Sequence, residues 1–415
     1  MWKILWLCNS QFIDNRIKTT GTWLQPLAEM LQESNKVSIY NVTLGNVETI
    51  QHDNYKGIEQ WILPHPKTKG HGQIPEKKFC QIISEIEEQV APDLVHVWGS
   101  ENVWASAYAQ GAIKTKAFID IQGILSSVYK YYYGGLDFCE ILKCIHLKEI
   151  LMPSRTLFYK KKVFRQRGSI ESECLRKFHI VSYQSEWVKN IIFQINPNAV
   201  FIPTRIMLRE GFYSAKPWEY RKNIESPVVF TTASGAIPYK GIHILFDSIK
   251  LLKRDYPNIQ LRVAGQMKIG GLLIDGYSLY LQKKIQELGI VENVVFLGPL
   301  NEVGLIRELQ NSNCCVIPSF VESYCLAFAE SMMIGVPTIA SFTSAMPELA
   351  SHGKECLFYN SIDTQTCANY IKQLIEDEKL AQLLSMNARQ KRLKENDREI
   401  VLQTQLDNYE RIIGM

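Results

Sequence analysis

The stretch from Pro318 to Ser341, PSFVESYCLAFAESMMIGVPTIAS, constrains this chain more than any other. An apolar run, Cys314 to Ile317, closes at Pro318, and a short polar loop follows. Leu326, Ala329 and Met333 then recur at helical spacing until Gly335 and Pro337 stop the pattern. The order is strand, loop, helix, Gly-Val-Pro, strand, which is the crossover unit of a parallel sheet.

Two carboxylates flank the loop, Glu322 just before the helix and Glu330 inside it. With a helix starting near Ser323, their spacing of a little over two turns puts both near one face. A helix start offers free N–H groups and the positive end of a dipole, where a diphosphate would be held. An acid beside an anion site needs another task, and accepting hydrogen bonds from sugar hydroxyls is one. The plainer alternative is a capping acid at 322 and a solvated acid at 330. Cys325, at the same helix start, reads as an accessible thiol of lowered pKa.

The same alternation runs through the chain. Val228 to Ala233 is a strand, followed by the loop SGAIPYKG (234–241) and a helix carrying Ile242, Leu245, Phe246, Ile249 and Leu252 at helical spacing. Lys240 beside that helix start reads as a phosphate clamp. Strands at Ile259–Gly265 and Val294–Leu297 end near Gly265 and Gly298, where a nucleobase can lie against backbone. Earlier strands are expected at Trp2–Cys8, Lys36–Val42, Gln60–Leu63, Leu94–Trp98, Ala117–Ile121, Phe178–Val181 and Ala199–Ile202. Gly21 opens the first helix, a position where backbone approaches a ligand closely. A chain of 415 residues exceeds what one core usually holds. The expected fold is therefore α/β, with two Rossmann-like doubly wound domains facing across a cleft and ligands beyond the carboxyl ends of the strands. The domains are placed at 1–205 and 227–394. Residues 206–226 lose periodicity and read as the linker.

Composition is ordinary for a globular protein, at 46% hydrophobic and 21% charged residues. The apolar run Ile4 to Cys8 is too short for a signal-peptide core, so a cytoplasmic protein is expected. Ten cysteines show neither a CxxC pair nor zinc-like spacing, and buried free thiols without a metal site are the expectation. The net charge of +4 is uneven: residues 140–189 carry +6 and the remainder −2. Within 129–167, Tyr131, Tyr132 and other aromatics interleave with Lys160, Lys161, Lys162 and Arg165. Such a segment suits an anionic membrane surface or a lipid-linked substrate. It also suits single-stranded nucleic acid, or a solvated basic helix face.

Glu322 and Glu330, followed by Ser-Met-Met-Ile-Gly-Val-Pro-Thr-Ile-Ala-Ser and then Pro347-Glu348, resemble the E-x7-E region of retaining glycosyltransferases of the GT-B fold, in glycosyltransferase family 4. Pro238, Lys240 and Gly241 resemble that family's phosphate loop. The resemblance implies a nucleotide diphosphate-sugar as donor substrate, no cofactor and no metal, and transfer with retention to a glycan or lipid-linked acceptor in surface polysaccharide synthesis. It implies that Lys240 and the helix start at Ser323, Tyr324, Cys325 and Leu326 hold the diphosphate, Glu322 the sugar hydroxyls and Glu330 the ribose. No covalent nucleophile is implied; the departing phosphate takes the acceptor proton. Gln122, in DIQG (120–123), stands where the family often has a donor-contacting histidine. Gly235 stands where an arginine is usual, and Ser323-Tyr324-Cys325 where Gly-aromatic-Gly is frequent. The first loop usually holds two glycines near the donor, and here only Gly21 is present. A C-terminal helix, 395–415, is expected to return to the first domain, and peripheral contact with the inner face of the plasma membrane is expected through the basic segment. Two rivals remain: a non-hydrolysing sugar-nucleotide epimerase of the same fold, and a nucleic-acid-binding protein. The latter leaves Lys240, Glu322 and Glu330 without a task, so no nucleic acid is expected.

Overall fold

The computed structural model describes residues 1–13, 22–221, 225–233, 235–267 and 274–415. Two compact units emerge: unit 1 comprises 1–129, 163–207 and 395–415, and unit 2 comprises 130–162 and 208–394.

Unit 1 is built on an eight-stranded sheet. Its strands are β1 (Trp2–Leu7), β2 (Val37–Gly45), β3 (Gln51–Tyr55), β4 (Ile58–Pro64), β7 (Leu94–Trp98), β8 (Ala117–Asp120), β9 (Ile180–Tyr183) and β10 (Val200–Pro203). They lie in the order β10-β9-β8-β7-β1-β2-β4-β3, while β5 (Thr68–Lys69) and β6 (Ile74–Pro75) form a separate short hairpin. The pairings are parallel except that β3 runs antiparallel to β4. That edge departs from the all-parallel expectation. Its polar sequence QHDNY is mostly exposed, and Lys56 and Gly57 turn the chain with φ of 49° and 83°, the pair of left-handed residues that a tight hairpin needs.

The apolar strand faces of unit 1 are covered on both sides. Helices Lys77–Val90 and Val103–Ala109 cover one face; Leu24–Glu33 and the C-terminal Arg398–Gly414 cover the other. Tyr409 anchors the last helix: its hydroxyl accepts from Trp6 Nε1 at 2.9 Å and meets His96 Nδ1 at 3.0 Å. The His96 ring stacks between Trp98 and Phe118, with centroids 3.8 and 4.0 Å away. Burial drives its pKa well below the ordinary histidine value, so it sits there as neutral imidazole.

Unit 2 is built on a six-stranded, all-parallel sheet of β11 (Val228–Thr232), β12 (Gln260–Ala264), β13 (Val294–Gly298), β14 (Cys314–Ile317), β15 (Thr338–Ser341) and β16 (Leu357–Tyr359). The order is β13-β12-β11-β14-β15-β16. The chain thus builds outward from β11 to one edge, then crosses back and builds outward from β14 to the other. The strand order therefore reverses between β11 and β14, and in open parallel sheets ligands bind beyond the carboxyl ends of the strands at such a switch point.

Residues 208–221, read from sequence as linker, pack into unit 2. Trp218 is buried, with its backbone N–H on the Ile334 carbonyl and its Nε1 on the Ser312 carbonyl. Among the described residues, no helix is long and apolar enough to cross a membrane.

Candidate functional site

The loop after β11 closes in a 3-10 turn, Pro238–Lys240, and Gly241 (φ 72°) starts the helix Ile242–Leu252. The loop after β14 carries Ser319, Phe320 and Glu322. A Cβ on Gly241 would lie 2.0 Å from the Pro318 carbonyl oxygen, so the close approach of the two loops requires glycine there as much as the left-handed turn does. Phe320 N donates to the Tyr239 carbonyl at 2.8 Å and ties the loops together. From the other side Thr343 Oγ1 holds the Phe320 carbonyl at 2.8 Å, and Ala345 N holds that of Glu322 at 3.2 Å.

This frame brings Lys240 and Glu322 together. Lys240 Nζ donates to Glu322 Oε1 at 2.6 Å, and Ser319 Oγ donates to the same oxygen at 2.6 Å. The side chains are only 20% and 12% exposed. Burial is the largest influence and opposes the charge on Lys240, but the Glu322 carboxylate, with Cys325 and Tyr239 adding, outweighs it and holds the ammonium above the ordinary lysine range. Lys240 and Glu322 thus form a largely buried ion pair at the switch point.

The helix that follows begins at Leu326, not near Ser323, and its N-cap Cys325 makes no side-chain cap. Glu322 consequently belongs to the loop, and the shared helix face expected for the two acids does not form. Cys325 is a second correction: it is buried in a left-handed conformation (φ 75°), and burial, with Glu322 adding, pushes its thiol well above the ordinary value. A lowered pKa would need exposure to the helix start and a cation that outweighs burial; Lys240 only partly offsets it. Ser323 and Tyr324 lie half-buried between Glu322 and that cap.

Glu330 is on the helix Leu326–Ile334 and nearly buried. Arg209 Nε and a terminal guanidinium nitrogen both donate to its Oε1, at 2.9 and 2.7 Å. Burial pushes the Glu330 carboxyl up, and Arg209 only partly offsets this. Arg209 escaped the sequence reading because it lies in a segment without periodicity; the only signal was a lone arginine before the short helix Glu210–Ser214.

The other expected residues fall as follows. Gly265 N donates to the Gly298 carbonyl at 2.8 Å, so the two glycines meet at the ends of β12 and β13. Among the described residues, a Cβ on Gly235 would meet nothing nearer than Ile237 at 3.9 Å, which leaves room there for a side chain. Gly21 lies outside the described residues. Gln122 lies in unit 1, in the loop after β8, among acids that sequence reasoning missed. Asp120 accepts from Ser182 Oγ at 2.7 Å and from Gln184 Nε2, and burial lifts its pKa to about 8. Burial likewise lifts Glu101 to about 7. Glu171 accepts from Ser100 Oγ and from the backbone N–H groups of Leu125 and Ser126, fixing the loop that follows Gln122. Scattered through the sequence, these acids carried no spacing signal.

The basic segment divides. Tyr132 is a correction: it is buried, with its ring 6.2 Å from that of Tyr239 beside the β11 loop, and cannot meet a membrane. Lys161 Nζ sits 4.0 Å over the Tyr133 ring, Lys160 is half-buried, and Lys162 and Tyr131 are exposed. Arg165 is exposed and belongs to unit 1. Within unit 2 the segment is clamped to the β11 loop. Gly134 (φ 59°) packs so closely that a Cβ would lie 2.1 Å from the Pro238 carbonyl oxygen. Its own carbonyl meets Nε2 of buried His243 at 2.9 Å, while Nδ1 meets the Tyr277 hydroxyl at 2.8 Å. A carbonyl only accepts, so Nε2 carries the proton and Nδ1 accepts from Tyr277. Burial, with Lys284, pushes His243 down to about 3.

In sequence and fold the chain is similar to known glycosyltransferases. Residues 216–391 match the family model of glycosyl transferases group 1. The uncharacterized glycosyltransferase YqgM of Bacillus subtilis is 27% identical over 179 residues, covering 43% of this chain and 47% of that protein. The N,N'-diacetylbacillosaminyl-diphospho-undecaprenol alpha-1,3-N-acetylgalactosaminyltransferase of Campylobacter jejuni is 26% identical over 236 residues, covering 55% and 58%. The chain thus spans about half the length of these curated relatives. In fold it is similar to sucrose-phosphate synthase from Thermosynechococcus elongatus (TM-score 0.74, 15% identity, all of both chains). It is also similar to Anabaena Alr3699/HepE, solved with UDP and glucose (TM-score 0.68, 16% identity, 99% of this chain and 100% of that one). The fold is α/β with parallel-sheet, Rossmann-like units, as in GT-B glycosyltransferases, and the matched segment contains Lys240, Glu322 and Glu330.

Proposed function

We propose that this protein is a retaining glycosyltransferase, of the family 4 type, that moves a sugar from a nucleotide diphosphate-sugar to a glycan or lipid-linked acceptor in surface polysaccharide synthesis at the cytoplasmic side of the membrane. The observation that carries the reading is the Lys240–Glu322 pair, held at 2.6 Å on the two loops of the switch point. In this scheme the diphosphate takes Lys240 from Glu322 and lies against the uncapped helix start at Leu326. The cation and the helix dipole stabilise the charge that grows on the leaving diphosphate, without a cofactor or metal. Glu322, released, accepts from sugar hydroxyls, and Glu330, oriented by Arg209, accepts from ribose. The leaving phosphate takes the acceptor proton on the face it departs from, which gives retention. The undecaprenol-linked relative and the UDP-bound structural neighbour support lipid-linked acceptors and uridine nucleotides as the first substrates to try.

The test is a thermal-shift panel of UDP- and GDP-sugars, followed by determination of the product's anomeric configuration. A donor at a hundred times its Kd adds about 2.7 kcal/mol of stability. If no sugar nucleotide raises the unfolding temperature, or the product is inverted, the proposal fails.

A further inference from the structure

The segment 130–162 has two faces. Its inner face is fixed to unit 2: Glu149 accepts from Gly276 N at 3.1 Å, and Glu140 accepts from the Tyr280 hydroxyl at 2.6 Å and lies 3.8 Å from Lys284. Its outer face consists of two short helices, Phe138–Lys143 and Leu147–Leu151, and the turn Pro153–Arg155. Here the apolar residues are turned outward: Phe138, Leu147, Ile150 and Leu151 are 65–72% exposed, and Met152 and Leu142 about half exposed. Phe158 joins them, its ring 6.3 Å from that of Phe138. A run of large aliphatic side chains this exposed is unusual on a soluble surface and marks an interaction site.

Charge identifies the occupant. The segment holds seven Lys or Arg against three acids, and two of those acids, Glu140 and Glu149, are used on the inner face. The outward charges are Lys130, Lys143, Lys162 and, half-exposed, Lys148, with Asp137 alone opposing. A second copy of the chain would set lysines against lysines across a two-fold axis. Single-stranded nucleic acid would want stacking rings, whereas the most exposed side chains are mainly Leu, Ile and Met. Aliphatic side chains that insert among acyl chains, rimmed by lysines that reach head groups, fit a lipid surface.

We propose that the ridge 138–152 is a docking surface for an anionic lipid bilayer, and that the contact is made by its leucine and isoleucine side chains as much as by lysine charge. The basic run Lys160–Lys162 contributes mainly through Lys162, because Lys161 is committed to Tyr133 and Lys160 is half-buried. The contact holds whatever nucleotide the protein uses, so its failure and that of the proposed transfer are separable.

The experiment is sedimentation of the full chain with vesicles of phosphatidylcholine alone and with one third phosphatidylserine. The protein should sediment with the anionic vesicles and not with the neutral ones. Leu147→Asp/Leu151→Asp should reduce partitioning at least tenfold, and Lys143→Ser/Lys162→Ser about fivefold per lysine, the equivalent of about 1 kcal/mol each near the surface. Both variants change exposed side chains, so they should keep the wild-type melting temperature. Absence of binding to anionic vesicles overturns the proposal, as does binding unchanged in the Leu147→Asp/Leu151→Asp variant. A lipid-free dimer that this variant breaks also overturns it, by assigning the ridge to a second copy.

Discussion

Replacing Lys240 by Met separates what the Lys240–Glu322 pair does for stability from what it does for turnover. The change leaves the Glu322 carboxylate, 12% exposed, with the Ser319 hydroxyl but, among the described residues, without its cation partner. Breaking a buried pair from one side costs about 3–5 kcal/mol; the residual exposure and the Ser319 bond place this case near about 3 kcal/mol. For a unit of this size each kcal/mol moves Tm by about 2–4 °C, so a fall of about 6–12 °C is expected. Lys240→Met/Glu322→Gln removes the orphaned charge and should recover most of that loss, to within about 1 kcal/mol of wild type, since replacing both partners of such a pair is often nearly neutral. Turnover should respond differently: on the proposed mechanism Lys240 is the cation at the leaving group, so both variants should lose about a hundredfold, the scale of one electrostatic transition-state donor. Thermal unfolding and steady-state assays on the four proteins of the cycle read both quantities. If the double variant is as unstable as Lys240→Met, the pair is not what holds these loops; if Lys240→Met keeps full turnover, the lysine is not in the chemistry.

Three further outcomes are expected. Asp120, held near 8 by burial against an unfolded value of about 3.9, keeps its proton in the folded state; stability should therefore fall as pH rises from about 4 to about 8, with Glu101 acting in the same direction, and Asp120→Asn should flatten the slope in chemical denaturation. Alkylation at pH 8 should label exposed Cys139 first and leave buried Cys325 unreacted until unfolding, and rapid donor-sensitive labelling of Cys325 in mass spectrometry would refute the burial assigned to it. Gly134→Ala should cost at least about 2 kcal/mol more than Gly111→Ala, because both residues have positive φ but only Gly134 abuts a carbonyl, that of Pro238; equal melting temperatures would refute the clamp on the β11 loop.

Most strands were legible because both faces of a parallel sheet are buried and its strands are short apolar runs; Leu94–Trp98 lies where the sequence places it. The edge strand Gln51–Tyr55 was not legible, since a solvated edge needs backbone pairing but no apolar side chains. The C-terminal helix placed at 395–415 begins at Arg398, where Asp397 accepts from Ile400 N and caps it. At the site, the residue types were legible and their partners were not. That Lys240 meets Glu322 across 82 positions, and that Arg209 takes Glu330, follow from the β11–β14 switch and from the docking of 208–221, which no local pattern encodes. Tyr132 and Cys325 were misjudged for one shared reason: a polar-tipped or reactive side chain was read for its chemistry, and the burial that suppresses that chemistry is set by distant chain.

The pairing also changes what the missing loop arginine means. Arg209, a nearby guanidinium in the same unit, is committed to Glu330, and Gly235 offers space but no charge. Among the described residues of the β11 and β14 loops, Lys240 is the side-chain cation that a diphosphate would draw on under the proposed function, and it is already neutralised by Glu322 at 2.6 Å. Exchanging one anion for another beside the same ammonium yields little Coulomb energy by itself, because the attraction gained is offset by the attraction given up. Discrimination must then come from geometry. The backbone that would cradle a phosphate is the turn from Pro238 to Gly241, and its shape is set where Gly241 abuts the Pro318 carbonyl and where Gly134 abuts that of Pro238. A segment far away in sequence, 130–162, thus helps to fix the β11 loop, while its outer face carries the exposed apolar ridge.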